Sequence, residues 1–580
     1  MNELSPEQRA VVASPLVPLC VIACAGSGKT LTAVHRLAEL RHRIGDHRGY
    51  VSLLSFSNVA VNTFNASYAT LAKRVGYSAT AHRVRIETFD SFITSNILRP
   101  HAHRTMNCKM TPFLITGAES FLQNKEYRFW VESKSGKDFP VQPRDIGNVV
   151  VRLDNTAATF HFRLNGALIP INNGPTVATR LAVVGAYTHA LGQYWAFRAL
   201  LDEPRILSAL TRRYPHIIVD EAQDVVSVHQ GLLEVLMSAG TEVSLLGDPH
   251  QAIYEFAGAN GNFLKEYAER SGVLACALTT NYRSVPTILA AANAISQRDD
   301  NPHRSSPAQT HGPYFIGYRD TELPHLVDAF CAATHAAGLR PENSAVVCRA
   351  RSLANKLTGR DVSAGQGIVR HFATAAVKRD KFGDYHKAFR DVAAGVVALL
   401  KDPPKGLLAQ IDQHGHDPET RLLVREIWAF TRDPEIGLPS ATLTADSDWH
   451  PALVRRVKDL LTRIESQLGL LPIDNLGQKL SRKALRPVPL MDAADLAADQ
   501  AQRITIDTVH HTKGASLEAV LYIAERGHAR SLLNGVGDEI GRIGYVALTR
   551  AKNLFWLAMP ENALEELRGE LIAIGFQEVS

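Results

Sequence analysis

Cysteine is scarce in this chain of 580 residues: six, at positions 20, 24, 108, 276, 331 and 348, with no CxxC pair among them. That scatter excludes a disulfide framework and a cysteine zinc site, and it makes a reducing cytoplasm the expected compartment. The histidine pairs at 101/103 and 414/416 have no further ligands near them in sequence, so no metal centre of that kind is expected. Long hydrophobic runs are missing too. No stretch reaches membrane-spanning length and no apolar segment follows a basic N-terminal flank, which leaves neither a membrane partner nor a signal peptide to expect. Charge of one sign is not in excess: 63 basic against 58 acidic side chains give +5, compatible with a nucleic-acid partner but too mild to establish one. Hydrophobic content of 45% rules out a disordered chain, and the length calls for about three to five packed units.

One stretch organises what is present. Val17 to Ala23 is mostly apolar and predicts a short buried strand. Ala25, Gly26, Ser27, Gly28, Lys29 and Thr30 follow, and then LTAVHRLAEL carries apolar residues at helical spacing. Strand, glycine loop and helix are the context of a P-loop, where backbone N–H groups and the helix N-terminus cradle phosphate oxygens. In that context Lys29 reaches the β- and γ-phosphates and the Thr30 hydroxyl holds Mg²⁺.

Around this loop the chain reads as α/β. LSPEQRAVV makes Ser5 a helix cap with Pro6 at the first helical position. Gln8, shortly before the P-loop, carries an amide able to donate to and accept from an adenine edge, although an exposed helical Gln is more often simply solvated. VSLLSFSN (51–58) predicts a second strand and IETFDSF (86–92) a third. Phe56, Asn58, Thr88 and Phe89 stand near their ends, where α/β sheets place ligand contacts, though each alone is more often a turn or core residue. FRLNGALIPINNG (162–174) predicts a hairpin, and Arg180 to Tyr214 a long helical stretch whose Tyr187, Tyr194, Trp195 and Phe197 belong in the core.

The sheet resumes at PHIIVDEAQD (215–224), with Asp220 and Glu221 at the end of an apolar strand. Adjacent carboxylates are costly there unless a cation or substrate uses them: Asp220 suits Mg²⁺ and Glu221 suits a general base on the attacking water. EVSLLGDPHQAIYEFAGA (242–259) adds a strand followed by Gln251, placed to touch the γ-phosphate, and by Tyr254 and Phe256, aromatics able to stack on bases.

Eight stretches, in order, carry a resemblance to superfamily 1 helicases of the UvrD/Rep/PcrA type: LSPEQRAV, AGSGKT, LSFSNVAV, VDEAQD, GDPHQAIYEFAGA, LTTNYRSVPTILAAAN (278–293), TVHHTKG (508–514) and IGRIGYVALTRAKN (540–553). The resemblance implies two RecA-like P-loop motor domains with parallel sheets, each interrupted by a mainly helical insertion. The first motor domain is then 1–90 with 211–285 around an insertion at 91–210, and the second 286–353 with 500–580 around an insertion at 354–499. It implies ATP and Mg²⁺ as cofactors and single-stranded or tailed duplex DNA as partner. Tyr282 would stack on adenine, Gly514 would line the nucleotide site, Arg283 would contact the γ-phosphate, and Arg550 would be an arginine finger from the second motor domain. Phe56, Asn58, Tyr254, Phe256 and His510 would line the single-strand track, with 3′ to 5′ the family's usual polarity.

Several positions depart from the family pattern. Cys24 replaces a P-loop glycine, Leu31 an Arg, Asp90 a His, Ala257 an Arg and Ser516 a Glu, which marks a divergent branch. Residues 354–499 hold convincing amphipathic helices at DYHKAFRDVAAGVVALLKDP and HPALVRRVKDLLTRIESQLGLL. The basic clusters Arg349/Arg351 and Lys378/Arg379/Lys381 are placed to grip phosphates or to form a solvated face. The main expectation is an ATP-driven translocase and helicase. The alternative is a DNA-sensing regulatory NTPase subunit with a protein partner such as a nuclease, by analogy with the helicase-like subunit of the anti-phage Gabija system.

Overall fold

A computed structural model describes residues 4–45, 47–75, 83–132, 138–255, 258–259, 261–305, 310–358, 365–412, 418–491 and 504–579. Short, nearly continuous apolar runs in the first half pair into one six-stranded sheet. Its order is Leu274–Leu278, Leu19–Ala23, Glu242–Gly247, His216–Val219, Val51–Ser55, Val84–Thr88. Every pairing is parallel. Such runs lack polar alternation because both faces are covered. Successive residues point to opposite faces. Leu53, Ile218 and Leu246 pack with Val34, Leu37 and Phe64, while Leu54, Ile217 and Leu245 pack with Phe92, Tyr214 and Phe263.

A second six-stranded parallel sheet runs Thr505–Thr508, Ala345–Cys348, Leu517–Ile523, Ala551–Pro560, Gly312–Tyr318, Gln577–Glu578. The same alternation covers it twice: Val347, Val520 and Phe555 face one core, Val346, Leu521 and Trp556 the other. The fold is α/β, with two parallel-sheet domains. No helix among the described residues is long and apolar enough to cross a membrane.

Local chemistry sets where elements begin and end. Ser5 caps Pro6–Ala13 through a capping box, with Gln8 N donating to Ser5 Oγ (3.2 Å) and Ser5 N to Gln8 Oε1 (3.0 Å). The third strand stops at Thr88 rather than running on to Phe92. The Thr88 hydroxyl accepts from Ser91 N (3.1 Å) and caps a helix over Phe89–Ile93, ending the extended run. The long helical stretch is also interrupted: Gly174–Val183, His189–Asp202 and Pro204–Arg213 are separate helices. Gly185, at φ +77°, turns the chain into a short strand, Thr188 caps the second helix, and Pro204 opens the third. The expected hairpin forms from Ala157–Leu164 and Ala167–Pro170 about Asn165 and Gly166, both at positive φ, and Val149–Asp154 adds a third antiparallel strand.

The helices from 89 to 213 pack on the first sheet: Phe92, Leu191, Phe197 and Tyr214 share one core with it, and Tyr187, Tyr194, Trp195 and Phe197 are all buried there. Residues 365–491 differ. Helices Ile368–Phe382, Tyr385–Val397, Pro418–Arg432 and His450–Leu468 enclose their own core around Phe372, Phe389, Ile427 and Trp449. Arg379 is buried there and spends its guanidinium on the carbonyls of Thr431 and Leu438 (3.1 and 2.6 Å) and on Asp380. Lys378 pairs with Asp391 at 2.6 Å. These two side chains therefore lock the helical unit together instead of forming a phosphate grip.

Candidate nucleotide site and interdomain cleft

Leu19–Ala23, Glu242–Gly247 and His216–Val219 are consecutive strands of the first sheet, so their carboxyl ends open on one place. Ala25 to Thr30 curl there as the P-loop, with Gly26 and Gly28 at φ +73° and +77°. Gly26 is required by space as well as by angle, and Gly28 chiefly by angle. A Cβ on Gly26 would lie 2.6 Å from Arg283 Cβ, and one on Gly28 would lie 2.6 Å from Gln8 Nε2. The loop is pinned from outside: Asn281 Nδ2 donates to Ala25 O (2.7 Å), Tyr282 N to Gly26 O (2.9 Å) and Gln8 Nε2 to Ser27 O (2.9 Å). Gln8 thus holds the loop and caps its own helix with the amide expected at the adenine edge. The Tyr282 ring lies 4.6 Å from the His303 ring, beside the cavity rather than in its lining.

Lys29 and Thr30 begin the helix Lys29–Arg43. Lys29 Nζ donates to Glu221 Oε1 (2.6 Å) and lies 3.5 Å from Asp220 Oδ1. Burial opposes the ammonium charge, but the two carboxylates outweigh it and hold Lys29 protonated. Burial likewise drives the Asp220 carboxyl upward against the pull of Lys29, whereas at Glu221 the cations Lys29 and Lys513 overcome burial and draw the carboxyl down. Glu221 alone keeps its charge easily, as a base must. Its backbone sits in the left-handed region at φ +54°, unusual without glycine and typical of functional positions. Asp220 Oδ1 is buried with no hydrogen-bond partner, and Thr30 stands in the same lining. A hard cation with oxygen ligands fits that pair.

The facing wall comes from the second sheet domain, and the cleft between them encloses about 910 Å³. Arg550, the last residue of helix Glu539–Arg550, is 3% exposed and donates from Nη2 to Gln251 Oε1 at 2.6 Å. Arg283 donates to Thr549 O (2.9 Å), and burial together with Arg550 pushes its guanidinium down to about 9. Gly514, at φ +86°, lies in the lining beside Lys513. Lys513 crosses the cleft: Nζ donates to both oxygens of Asp224 (2.7 Å each) and to Gln251 O (2.8 Å). Thus Lys29, Thr30, Asp220, Glu221, Gln251, Arg283 and Arg550 converge on one cavity.

The residues expected on a second ligand divide. Phe56 lines both this cavity and a neighbouring one of about 980 Å³, which Asn58 and Thr88 share with Asp90, Arg99 and Arg390. Phe89 does not reach either lining. It is 2% exposed, with its ring 5.9 Å from Phe56 and 4.4 Å from His229, so it backs Phe56 from the core. The helix capped by Thr88 turns it inward. Tyr254 and His510 meet edge to face at 5.5 Å across the cleft, and His510 Nε2 donates to Ile253 O (2.9 Å). Phe256 and Ala257 lie outside the described residues.

Sequence reasoning missed Asp224, Lys513, Gln223 and Arg298. Asp224, Gln223 and Lys513 lie inside VDEAQD and TVHHTKG, but nothing in either motif pairs an acid at 224 with a lysine 289 positions later. Gln223 donates to Glu221 Oε2 (2.5 Å) and accepts from Asp248 N (3.0 Å). Arg298 lies in no recognisable motif.

Comparison with known proteins agrees with this geometry. A UvrD/REP helicase N-terminal domain family model matches residues 4–136 and 186–271, segments that supply five of the six strands of the first sheet. The chain is similar to the ATP-dependent DNA helicase UvrD2 of Mycobacterium tuberculosis, 24% identical over 95% of this chain and 77% of that protein. DNA helicase II of Escherichia coli is 27% identical over 52% of this chain and 41% of its own length. UvrD1 of Mycobacterium leprae is 26% identical over 62% and 48% respectively. P-loop, acid pair and cross-cleft arginine, set between two parallel sheets, agree with these matches, and the chain is UvrD-like, similar to superfamily 1 helicases of that type.

Proposed function

We propose that the chain is an ATP-dependent single-stranded-DNA translocase and helicase that moves 3′ to 5′. The observation that carries this reading is the convergence of Lys29, Glu221 and Arg550 from two domains on one cleft. Phosphoryl transfer needs positioning and positive charge around the transferring group more than covalent chemistry. Mg²⁺, held by Thr30 and Asp220, would supply charge neutralisation at the phosphates. Lys29 now shares its charge with Glu221 at 2.6 Å; a phosphate gives it a competing partner and frees Glu221 to orient and deprotonate water. Arg283 and Arg550 would bring two guanidinium groups to the charge that builds on the transferring phosphoryl oxygens. Because Lys29 and Arg550 belong to different domains, nucleotide turnover biases cleft opening against closure.

The nucleic-acid track is assigned to Phe56, Asn58, Thr88, Tyr254 and His510, with Phe89 as a support. Phe56 lines both cavities, and Tyr254 sits three residues from Gln251, so base stacking and phosphate contact share short segments of chain. The test is ATP hydrolysis by the full chain with and without single-stranded DNA, using Lys29→Ala as control, followed by strand displacement on 3′- and 5′-tailed duplexes. Strong stimulation and displacement from a 3′ tail are expected. Lys29-dependent hydrolysis indifferent to DNA would favour a regulatory NTPase subunit instead, and displacement only from a 5′ tail would reverse the polarity.

A further inference from the structure

A buried polar chain extends from the arginine finger to a pair of side chains outside every motif. Arg550 Nη2 donates to Gln251 Oε1 (2.6 Å), and Gln251 Nε2 donates to Asp248 Oδ2 (2.7 Å). The other oxygen, Asp248 Oδ1, accepts from His250 N (3.1 Å) and from Arg298 Nη1 (3.3 Å). Arg298 Nε in turn lies 3.0 Å from Asp300 Oδ2. Asp248 is 1% exposed, Gln251 6%, Asp300 6% and Arg550 3%.

The backbone is built to deliver Arg298 there. Helix Pro286–Ser296 ends at Gln297 in the left-handed conformation (φ +55°), a position glycine usually takes. The turn is held by Arg298 N donating to Asn293 O (3.2 Å) and Asn293 Nδ2 to Asp300 O (2.9 Å). Through it the second domain sends a guanidinium to a carboxylate of the first.

We propose that Arg298 is a positioning residue for phosphoryl transfer: it neutralises Asp248, and so keeps the Gln251 amide oxygen turned to Arg550 and the Arg550 guanidinium free of Asp248. An amide presents its oxygen in one direction only when its nitrogen has a fixed acceptor, and Asp248 Oδ2 is that acceptor. A buried carboxylate stripped of its cation is the strongest acceptor in its surroundings and must find another donor or a proton. Arg550 is the nearest cation on the same chain of bonds. Drawn to Asp248, it would leave the place where the transferring phosphoryl needs it. Asp300 holds the Arg298 fork in plane, so the arrangement has a counter-ion on each side.

This inference rests on the hydrolase reading above. The experiment is steady-state ATP hydrolysis with single-stranded DNA present, comparing the unsubstituted chain with Arg298→Gln, Arg298→Lys, and Arg298→Gln combined with Asp248→Asn. Arg298→Gln should lower kcat by about 10²-fold, the cost of a small displacement of a catalytic group, with KM for ATP little changed. Arg298→Lys keeps the charge and should recover most of the rate. Asp248→Asn removes the charge that captures Arg550 while leaving an oxygen for Gln251, and should restore about tenfold or more in the Arg298→Gln background. Full activity of Arg298→Gln overturns the inference, as does a loss that neither lysine nor the Asp248→Asn partner relieves. Absence of Lys29-dependent hydrolysis in the unsubstituted chain would overturn the hydrolase reading itself, and this inference with it.

Discussion

Lys513→Met tests whether the two sheet domains are coupled by one buried ion pair. Lys513 Nζ sits 2.7 Å from both oxygens of Asp224, with side chains only 7% and 4% exposed. Removing one partner of such a pair costs about 3–5 kcal/mol, because the other charge stays buried without compensation. The cost depends on pH. Burial raises the Asp224 carboxyl to about 6 although Lys513 pulls it down. A carboxyl raised in the folded state holds its proton longer there than in the unfolded chain. Its contribution therefore favours folding below the ordinary pKa of 3.8 and is lost as pH climbs to about 6, a loss of roughly 3 kcal/mol. Below about 6 the folded-state Asp224 is neutral and Lys513 has little to pair with. A double-mutant cycle of Lys513→Met and Asp224→Asn, followed by urea denaturation, should give a coupling of about 3 kcal/mol near pH 7.5 and below about 1 kcal/mol near pH 4.5. Coupling that is negligible at the higher pH, or equal at both, would refute the reasoning.

Arg550→Ala should leave nucleotide affinity nearly intact while lowering kcat by about 10³-fold or more, checked by nucleotide binding beside steady-state hydrolysis. Lys29→Ala removes the cation 2.6 Å from Glu221 and 3.5 Å from Asp220, and hydrolysis should fall to background with or without DNA. Gly28→Ala should weaken nucleotide binding and lower thermal stability together, since its Cβ would meet Gln8 Nε2 at 2.6 Å and its φ is +77°. Phe56→Ala should weaken single-strand affinity by about 1–3 kcal/mol, measured by fluorescence anisotropy, while basal hydrolysis without DNA persists. Unchanged binding would remove Phe56 from the track.

What the sequence made legible was local in nature. A glycine loop between a strand and a helix, or two acids at a strand end, declares its chemistry within ten residues, so Lys29, Thr30, Asp220 and Glu221 could be singled out, and the structure sets all four along one cavity. Two kinds of feature escaped. Caps and turns redirected apolar patterns that suit either state: Thr88 ended the strand expected over 86–92 and opened a helix at Phe89–Ile93, and Gly185 with Pro204 broke one long helix into three. Long-range polar pairs left no trace, because Lys513 with Asp224 and Arg298 with Asp248 depend on the docking of one sheet domain against another. Basic clusters misled in the same way: Arg379 and Lys378 look exposed in sequence, yet folding turns one inward and pairs the other.

The contacts between the sheets explain why one short loop matters most. On one side the link from the first sheet is welded to the second: Ser284 Oγ donates to Ala551 O (2.7 Å), Val285 N to Lys552 O (2.9 Å) and Arg304 Nη1 to Arg283 O (2.8 Å). On the other side, four side chains of the second domain all end on residues 251–255, just beyond strand Glu242–Gly247. Arg550 bonds Gln251, Lys513 bonds its carbonyl, Arg542 bonds Ala252 O and Glu255, and His510 bonds Ile253 O. The start of this loop is tied through Gln223 to Glu221, the proposed base. Tyr254, on the same loop, lines the cleft and is assigned to the proposed nucleic-acid track. A strand that stacks on Tyr254 and a phosphate that engages Gln251 therefore act on one set of bonds. Linkage makes the effect reciprocal: whatever factor nucleic acid imposes on nucleotide affinity, nucleotide must impose on nucleic-acid affinity.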